Sequence, residues 1–245
     1  MKTQMKQNND GAMPITSHLL ELRKRLVIIF LTVLVLSFIS FLFSEDLIKN
    51  LMSLSKGYKF IYNTPEALII QSLKLAIMSG IVLSSPVIFF NIWMFVSPAL
   101  KITEKVVITI IFTLGVVLFL VGCVFAYYII IPFVLKFFVE SNSISELQAY
   151  VTLEGYISII VSFFIAFGLV FELPVVLLCL DIAGIARRKT FVNMRKFAIV
   201  IICIVSGIIT PPDVFSLIVT AIPMVILFEL SLFIMYLYEK ITKKN

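Results

Sequence analysis

Histidine occurs once and cysteine three times among these 245 residues, and only 14% of positions carry a charge. A single histidine argues against a zinc centre, and Cys123, Cys179 and Cys203 all fall inside long apolar runs, which argues against a disulfide framework. Soluble domains are about one quarter charged, so the shortage of charge excludes an ordinary cytosolic fold. Also missing are a 20–50-residue repeat, inverted similarity between the halves, and the Gly-x4-Gly-Lys-Ser/Thr loop that cradles a nucleotide. No small-x-small site follows Phe43, and the first apolar stretch is too long for a typical leader core, so no cleavable signal is expected. What fills the chain is apolar: 61% of residues. The expected class is an all-α, polytopic membrane protein. Twenty Lys+Arg against 14 Asp+Glu leave a net +6. A nucleic-acid binder would share that excess, but here the basic residues do not cluster on a soluble domain, and bundles with cytoplasmic loops carry the same excess.

Six spans are predicted, at about 26–43, 68–96, 106–135, 156–180, 197–210 and 214–238. Crossing a hydrocarbon core takes ~20 helical residues, so the first is just adequate and the fifth is short. Arg195-Lys196 fixes one end of that short segment, and Thr210-Pro211-Pro212-Asp213 turns the chain at the other. The last two spans therefore read as a helical hairpin that crosses a thinned membrane. Fifteen Lys and Arg fall on the side holding the N-terminal arm, the 97–105 and 181–196 loops and the tail, against four in the opposite loops. That count predicts an N-in, C-in arrangement. Residues 1–13 read as a flexible cytoplasmic arm, 14–238 as one membrane domain, and 239–245 as a cytoplasmic tail.

A lone carboxylate in hydrocarbon costs roughly 2.5–3.5 kcal/mol, so Glu172 and Glu229 are the residues to question. Pro174 follows Glu172 closely and loosens the preceding turn. Two readings stand: a wet cavity receiving a polar ligand or helix, or a protonated glutamic acid hydrogen-bonded to a neighbouring span to hold the bundle. Glu229 lies nearer the cytoplasmic end of its span and is expected to snorkel, as is Lys74 near the outer interface. Asp213 is placed to cap the sixth helix, with a partner contact as the alternative. On the cytoplasmic face, Ile15, Leu19, Leu22 and Leu26 recur at helical spacing, which predicts an amphipathic helix running into the first span. Glu21 and Arg25 there stand at i,i+4, a solvated pair worth about 0.3–0.5 kcal/mol. A second acid, Glu104, precedes the third span, and His18 reads as a polar-face residue.

Taken together, these motifs are recognisable. HLLELRKRL from His18 to Leu26, WMFVSPAL from Trp93 to Leu100 ahead of Glu104, FGLVFELP from Phe167 to Pro174, TPPDVFS from Thr210 to Ser216, Ala221-Ile222-Pro223 and Phe228-Glu229 stand in one order. Over residues 14–238 the chain resembles the TatC family, the polytopic receptor of the twin-arginine translocase. The resemblance implies a receptor for folded proteins awaiting export, driven by the proton motive force, with no cofactor, no metal and no nucleic acid. By position, Glu21 and Glu104 would receive the two arginines of a twin-arginine signal peptide, with Arg23, Phe95, Pro98 and Leu100 close by. Glu172 matches the acid of a membrane-embedded concavity. Thr210, Pro211, Pro212, Asp213 and Ser216 fall in the docking surface for single-span TatA and TatB partners, where many relatives have Gln and this chain has Leu217. A homo-oligomer within a hetero-oligomeric complex, surrounded by membrane lipids, is the expected assembly. The expected site is a bacterial inner membrane or an organelle inner or thylakoid membrane.

Physical chemistry adds a reason for two acids. A guanidinium presents a planar fork that one carboxylate binds bidentately, which lysine does not imitate. Neighbouring side chains on an extended peptide point to opposite sides, so reading two arginines calls for acids on two segments, as Glu21 and Glu104 are. The rival is a proton-coupled secondary transporter using Glu172, disfavoured by the missing repeat and by the lack of a cation at matching depth. An enzyme is not expected: the only His lies outside the spans and no Asp sits deep in one.

Overall fold

Leucine, isoleucine, valine and phenylalanine dominate α1 (Ile15–Leu42), whose 28 residues extend about 42 Å and outrun a ~30 Å hydrocarbon core. The computed structural model describes residues 15–54, 59–61, 63–96, 102–141, 150–210 and 213–242. After a turn at Phe43, α2 (Ser44–Ser53) buries Ile48 and Leu51 and sets Glu45 and Asp46 in its first turn, where the helix dipole favours carboxylates. A short strand, β1 (Lys59–Ile61), follows. Helix α3 (Ala67–Val96) returns across the membrane and packs along α1 over its length. At their crossing a Cβ on Gly80 would lie 2.7 Å from the Ser37 backbone nitrogen, so only glycine lets the two backbones approach this closely.

Helix α4 (Ile102–Phe125) passes through a π-helical turn at Ala126–Ile130 into α5 (Ile131–Ser141), making one rod. Strand β2 (Tyr150–Thr152) pairs parallel with β1, Phe60 opposite Val151. Thr152 then caps α6 (Leu153–Val170), its hydroxyl accepting from the Gly155 N–H at 3.4 Å. The fourth span is not one helix: it breaks at Phe171–Glu172 and restarts as α7 (Leu173–Ile182), with Pro174 in the first turn, where its missing N–H costs nothing. Gly184, at φ 70°, ends α7: its N–H reaches the Asp181 carbonyl at 3.0 Å and that of Ile185 reaches Leu180 at 3.0 Å. This doubly bonded terminus turns the chain toward α8 (Arg188–Asn193) and needs the left-handed residue that glycine supplies. The chain closes with α9 (Arg195–Ile209) and α10 (Val214–Thr242).

Among the described residues five stretches, His18–Leu42, Ala67–Phe95, Thr109–Phe137, Leu153–Ile182 and Val214–Lys240, are long and apolar enough to cross a membrane. Helix α9 is the sixth span, and at 15 residues it reaches only about 22 Å. Among the described residues the fold is all-α and six-spanning apart from two three-residue strands, with the start of α1 and the end of α10 on the basic, cytoplasmic side. Two apolar cores hold it. Toward the outer side Leu75, Ile131, Val134, Tyr156, Ile160 and Phe163 join α3, α5 and α6. Toward the cytoplasmic side Leu177, Ile202, Met224, Phe228 and Leu232 join α7, α9 and α10. The small strand pair is reinforced by Glu154 accepting from the Asn63 N–H at 3.0 Å and by the Tyr156 hydroxyl donating to the Leu51 carbonyl.

Candidate functional site

Helix α1 continues straight from the lipid into the cytoplasmic rim, and that continuity decides what its first turns face. His18 stacks on Phe95 near the end of α3, ring centroids 4.3 Å apart and 19° from parallel. The residue read as a plain polar-face histidine thus ties α1 to α3. One turn on, Arg25 donates from Nη2 to Glu21 Oε1 at 3.1 Å. The pair is not solvated as its spacing suggested: the side chains are only 17% and 22% exposed, respectively. Arg23 points to solvent from the opposite side of the helix. Glu104 is placed by its backbone in the first turn of α4, while Pro98 and Leu100 lie outside the described residues.

The second polar place is deep. The break between α6 and α7 turns Glu172 into a cavity of about 580 Å³, walled by Ile88, Phe89, Phe119, Val175 and Val176. Glu172 is 6% exposed, and neither carboxyl oxygen has a hydrogen-bond partner among the described residues. Oε2 sits over Gly115 of α4, 3.0 Å from where a Cβ would stand. Ser85 lines the same cavity from α3 with its hydroxyl also unpartnered. Of the two readings left open by the sequence, a glutamic acid hydrogen-bonded to a side chain of another span is not seen among the described residues; the carboxyl leans on the α4 backbone between Gly115 and Phe119. A buried polar group left unpaired costs about 1–3 kcal/mol, so the bundle carries this carboxyl at a loss.

The third place is the α9–α10 hairpin. The Thr210 hydroxyl donates to the Ser206 carbonyl at 2.9 Å, and that of Ser206 donates to Met224 Sδ at 3.2 Å. Thr210 and Ser216 are both buried within the chain. Asp213 Oδ1 accepts from the Ser216 N–H at 2.7 Å, which is the cap read from the sequence. Pro211 and Pro212 lie outside the described residues. At the cytoplasmic end Arg195 pairs with Glu229 at 2.8 Å, so Glu229 does more than reach toward the headgroups. The first two places share α3 and α4 at different depths and the third stands apart on α9 and α10, so the structure does not gather them into one site.

Against known proteins, the family model described as Sec-independent protein translocase protein (TatC) matches residues 17–223. The chain belongs to the TatC family. The TatC protein of Desulforapulum autotrophicum is 37% identical over 225 residues, covering 89% of this chain and 83% of the relative. That of Aquifex aeolicus is 34% identical, covering 91% and 94%. A crystal structure described as twin arginine translocase receptor TatC superposes with a TM-score of 0.82 at 32% identity, over 90% of this chain and 98% of that one. The chain is therefore a multi-pass membrane component of the Sec-independent, twin-arginine protein translocase. The proton-coupled carrier finds no support in these likenesses.

Within this TatC fold, sequence reasoning missed the His18–Phe95 stack and the burial of the Glu21–Arg25 pair. Both depend on α3 arriving beside α1, which local spacing does not encode. It also left Lys74 as a snorkelling residue, whereas its Nζ donates to Ser158 Oγ at 3.1 Å across to α6.

Proposed function

We propose that this TatC chain is the receptor subunit that binds the twin-arginine signal peptide of folded proteins. The peptide would dock on the cytoplasmic end of α1 together with the α3–α4 connection. The observation that carries the reading is the His18–Phe95 stack, which fixes the helix bearing Glu21 against the end of the helix leading to Glu104. Two carboxylates on separate segments suit two guanidiniums that leave an extended peptide on opposite sides. Glu21 and Glu104 are the acceptors, with Phe95, Pro98 and Leu100 around them, while Arg23, on the far face of α1, would meet the peptide away from Glu21. Glu172 gives the deep cavity a polar point toward which a peptide or partner helix would turn.

Single-span TatA and TatB subunits would dock along α9 and α10, near Thr210, Pro211, Pro212, Asp213 and Ser216. Burial of the Thr210 and Ser216 hydroxyls moves the weight of that contact to the apolar outer faces, where Ile204, Ile208 and Ile218 are exposed. Several copies of this chain would stand in one hetero-oligomer with those partners, driven by the proton motive force without nucleotide, and the chain itself performs no catalysis.

The test is binding of a fluorescent twin-arginine peptide to the full-length protein in nanodiscs. A charged hydrogen bond is worth ~1.5–3 kcal/mol net, one to two decades of affinity. Glu21→Gln and Glu104→Gln should each weaken binding by at least tenfold. Unchanged affinity in both variants would remove the assignment.

A further inference from the structure

The acid expected to take a leader arginine is already holding an arginine. Arg25 reaches Glu21 through a single contact, Nη2 to Oε1, and its Nε is buried with no partner among the described residues. Both side chains are largely withdrawn from water. The next cations on the helix, Arg23 and Lys24, are exposed and make no ion pair among the described residues. The pairing is therefore specific to Arg25, and it is incomplete: a donor four residues along the same helix presents one corner of its guanidinium, while the fork that matches a carboxylate needs two parallel N–H groups.

We propose that Arg25 is an internal stand-in for the ligand, occupying Glu21 until a leader guanidinium displaces it. This rests on the reading that Glu21 binds a leader arginine. The exchange trades a one-point pair for a two-point pair, so arginine gains on entering while lysine, also a one-point donor, gains nothing from the swap. Without Arg25 a half-buried carboxylate would stand unpaired in the empty receptor, the costly arrangement for an ion withdrawn from water. With it, the empty site is neutral locally and releases its leader readily, because the outgoing arginine is replaced at once. Arg25 sits at the start of the span, where its long stem lets the displaced head turn toward the interface.

The exchange makes a quantitative demand. The Glu21–Arg25 pair is lost whichever leader binds, so it subtracts the same amount from every affinity and leaves their ratio untouched. Arg25→Gln should therefore tighten a two-arginine leader peptide by about fivefold or more, fivefold being the upper end for solvent-exposed pairs and this pair being largely withdrawn from water. It should tighten the matching two-lysine peptide by the same factor. The measurement is fluorescence anisotropy with both peptides on the full-length protein in nanodiscs, with Arg25→Met as a second neutral replacement. Lys24→Gln controls for the mere loss of a positive charge near a cationic peptide and should fall short of the Arg25→Gln gain. In a Glu21→Gln background the gain should vanish.

The proposal is overturned if Arg25→Gln and Arg25→Met weaken binding or leave it unchanged while Glu21→Gln weakens it. In that case the reading of Glu21 survives and Arg25 is no competitor. A gain in Lys24→Gln equal to that in Arg25→Gln, or one that persists without Glu21, overturns it too. If Glu21→Gln leaves binding intact, the underlying reading fails and the proposal falls with it.

Discussion

Replacing Glu172 with leucine separates what the carboxyl does for the bundle from what it does for transport. Leucine has nearly the volume of glutamate and would lie among Phe119, Val175 and Val176, all apolar. Glu172 is 6% exposed and neither oxygen has a hydrogen-bond partner among the described residues, so its removal lifts a penalty and gives up at most a weak backbone contact near Phe119. One unsatisfied buried polar group costs about 1–3 kcal/mol. Each kcal/mol moves the midpoint of a chain this long by about 2–4 °C. The Glu172→Leu protein should thus melt roughly 2–12 °C higher than wild type in the same detergent, followed by loss of the monodisperse peak after heating. Export of a twin-arginine reporter should fall strongly, while peptide binding at the cytoplasmic rim stays within about twofold. Glu172→Gln, which keeps hydrogen-bonding capacity, should retain part of the export. A lower melting midpoint in Glu172→Leu, with binding and export lost together, would refute the reasoning, because the carboxyl would then be holding the helices in place.

Two further changes probe the frame around these sites. Gly80→Leu should collapse the α1–α3 crossing and leave little folded protein, because even a Cβ there meets the Ser37 backbone at 2.7 Å. Gly207→Ala should be tolerated, since its Cβ would meet only Leu217 Cδ1 at 3.5 Å; yield and elution profile after detergent extraction read both. Asp213→Ala removes the cap of α10 and should cost ~1 kcal/mol, a midpoint lowered by about 2–4 °C, whereas Asp213→Asn should recover most of it.

The spans and their polarity were legible because lipid imposes the crudest of patterns: long apolar runs and basic inner loops. Asp213 was legible as well, since a cap is a contact between residues three apart. What escaped was whatever required two distant helices to meet. Glu21 and Arg25 looked solvated because helical spacing says nothing of which face α3 covers. The depth of Glu172 could be counted along its span, but its lack of a partner depends on Gly115 of α4 standing opposite instead of a donor. The break at Phe171–Glu172 was hinted at by Pro174, whereas the π turn at Ala126–Ile130 went unread although Pro132 stands just beyond it, where a proline crowds the carbonyl four residues back, that of Tyr128. Thr210 and Ser216 looked like surface groups beside two prolines, yet the hairpin folds them inward.

The strand pair on the outer face sets an order of events during synthesis. Asn63 and Glu154, which brace it, lie 91 residues apart. At 5–20 residues per second the ribosome delivers the second strand roughly 5–20 s after the first. Through that interval β1 waits outside the membrane with its edge unclaimed, and the first two spans are kept in register by their own contacts, the Ser37–Gly80 seam and the His18–Phe95 stack. Only when the third span has been threaded can the outer clasp shut, so a nascent chain halted before that point leaves its first two spans inserted and its exterior unlatched.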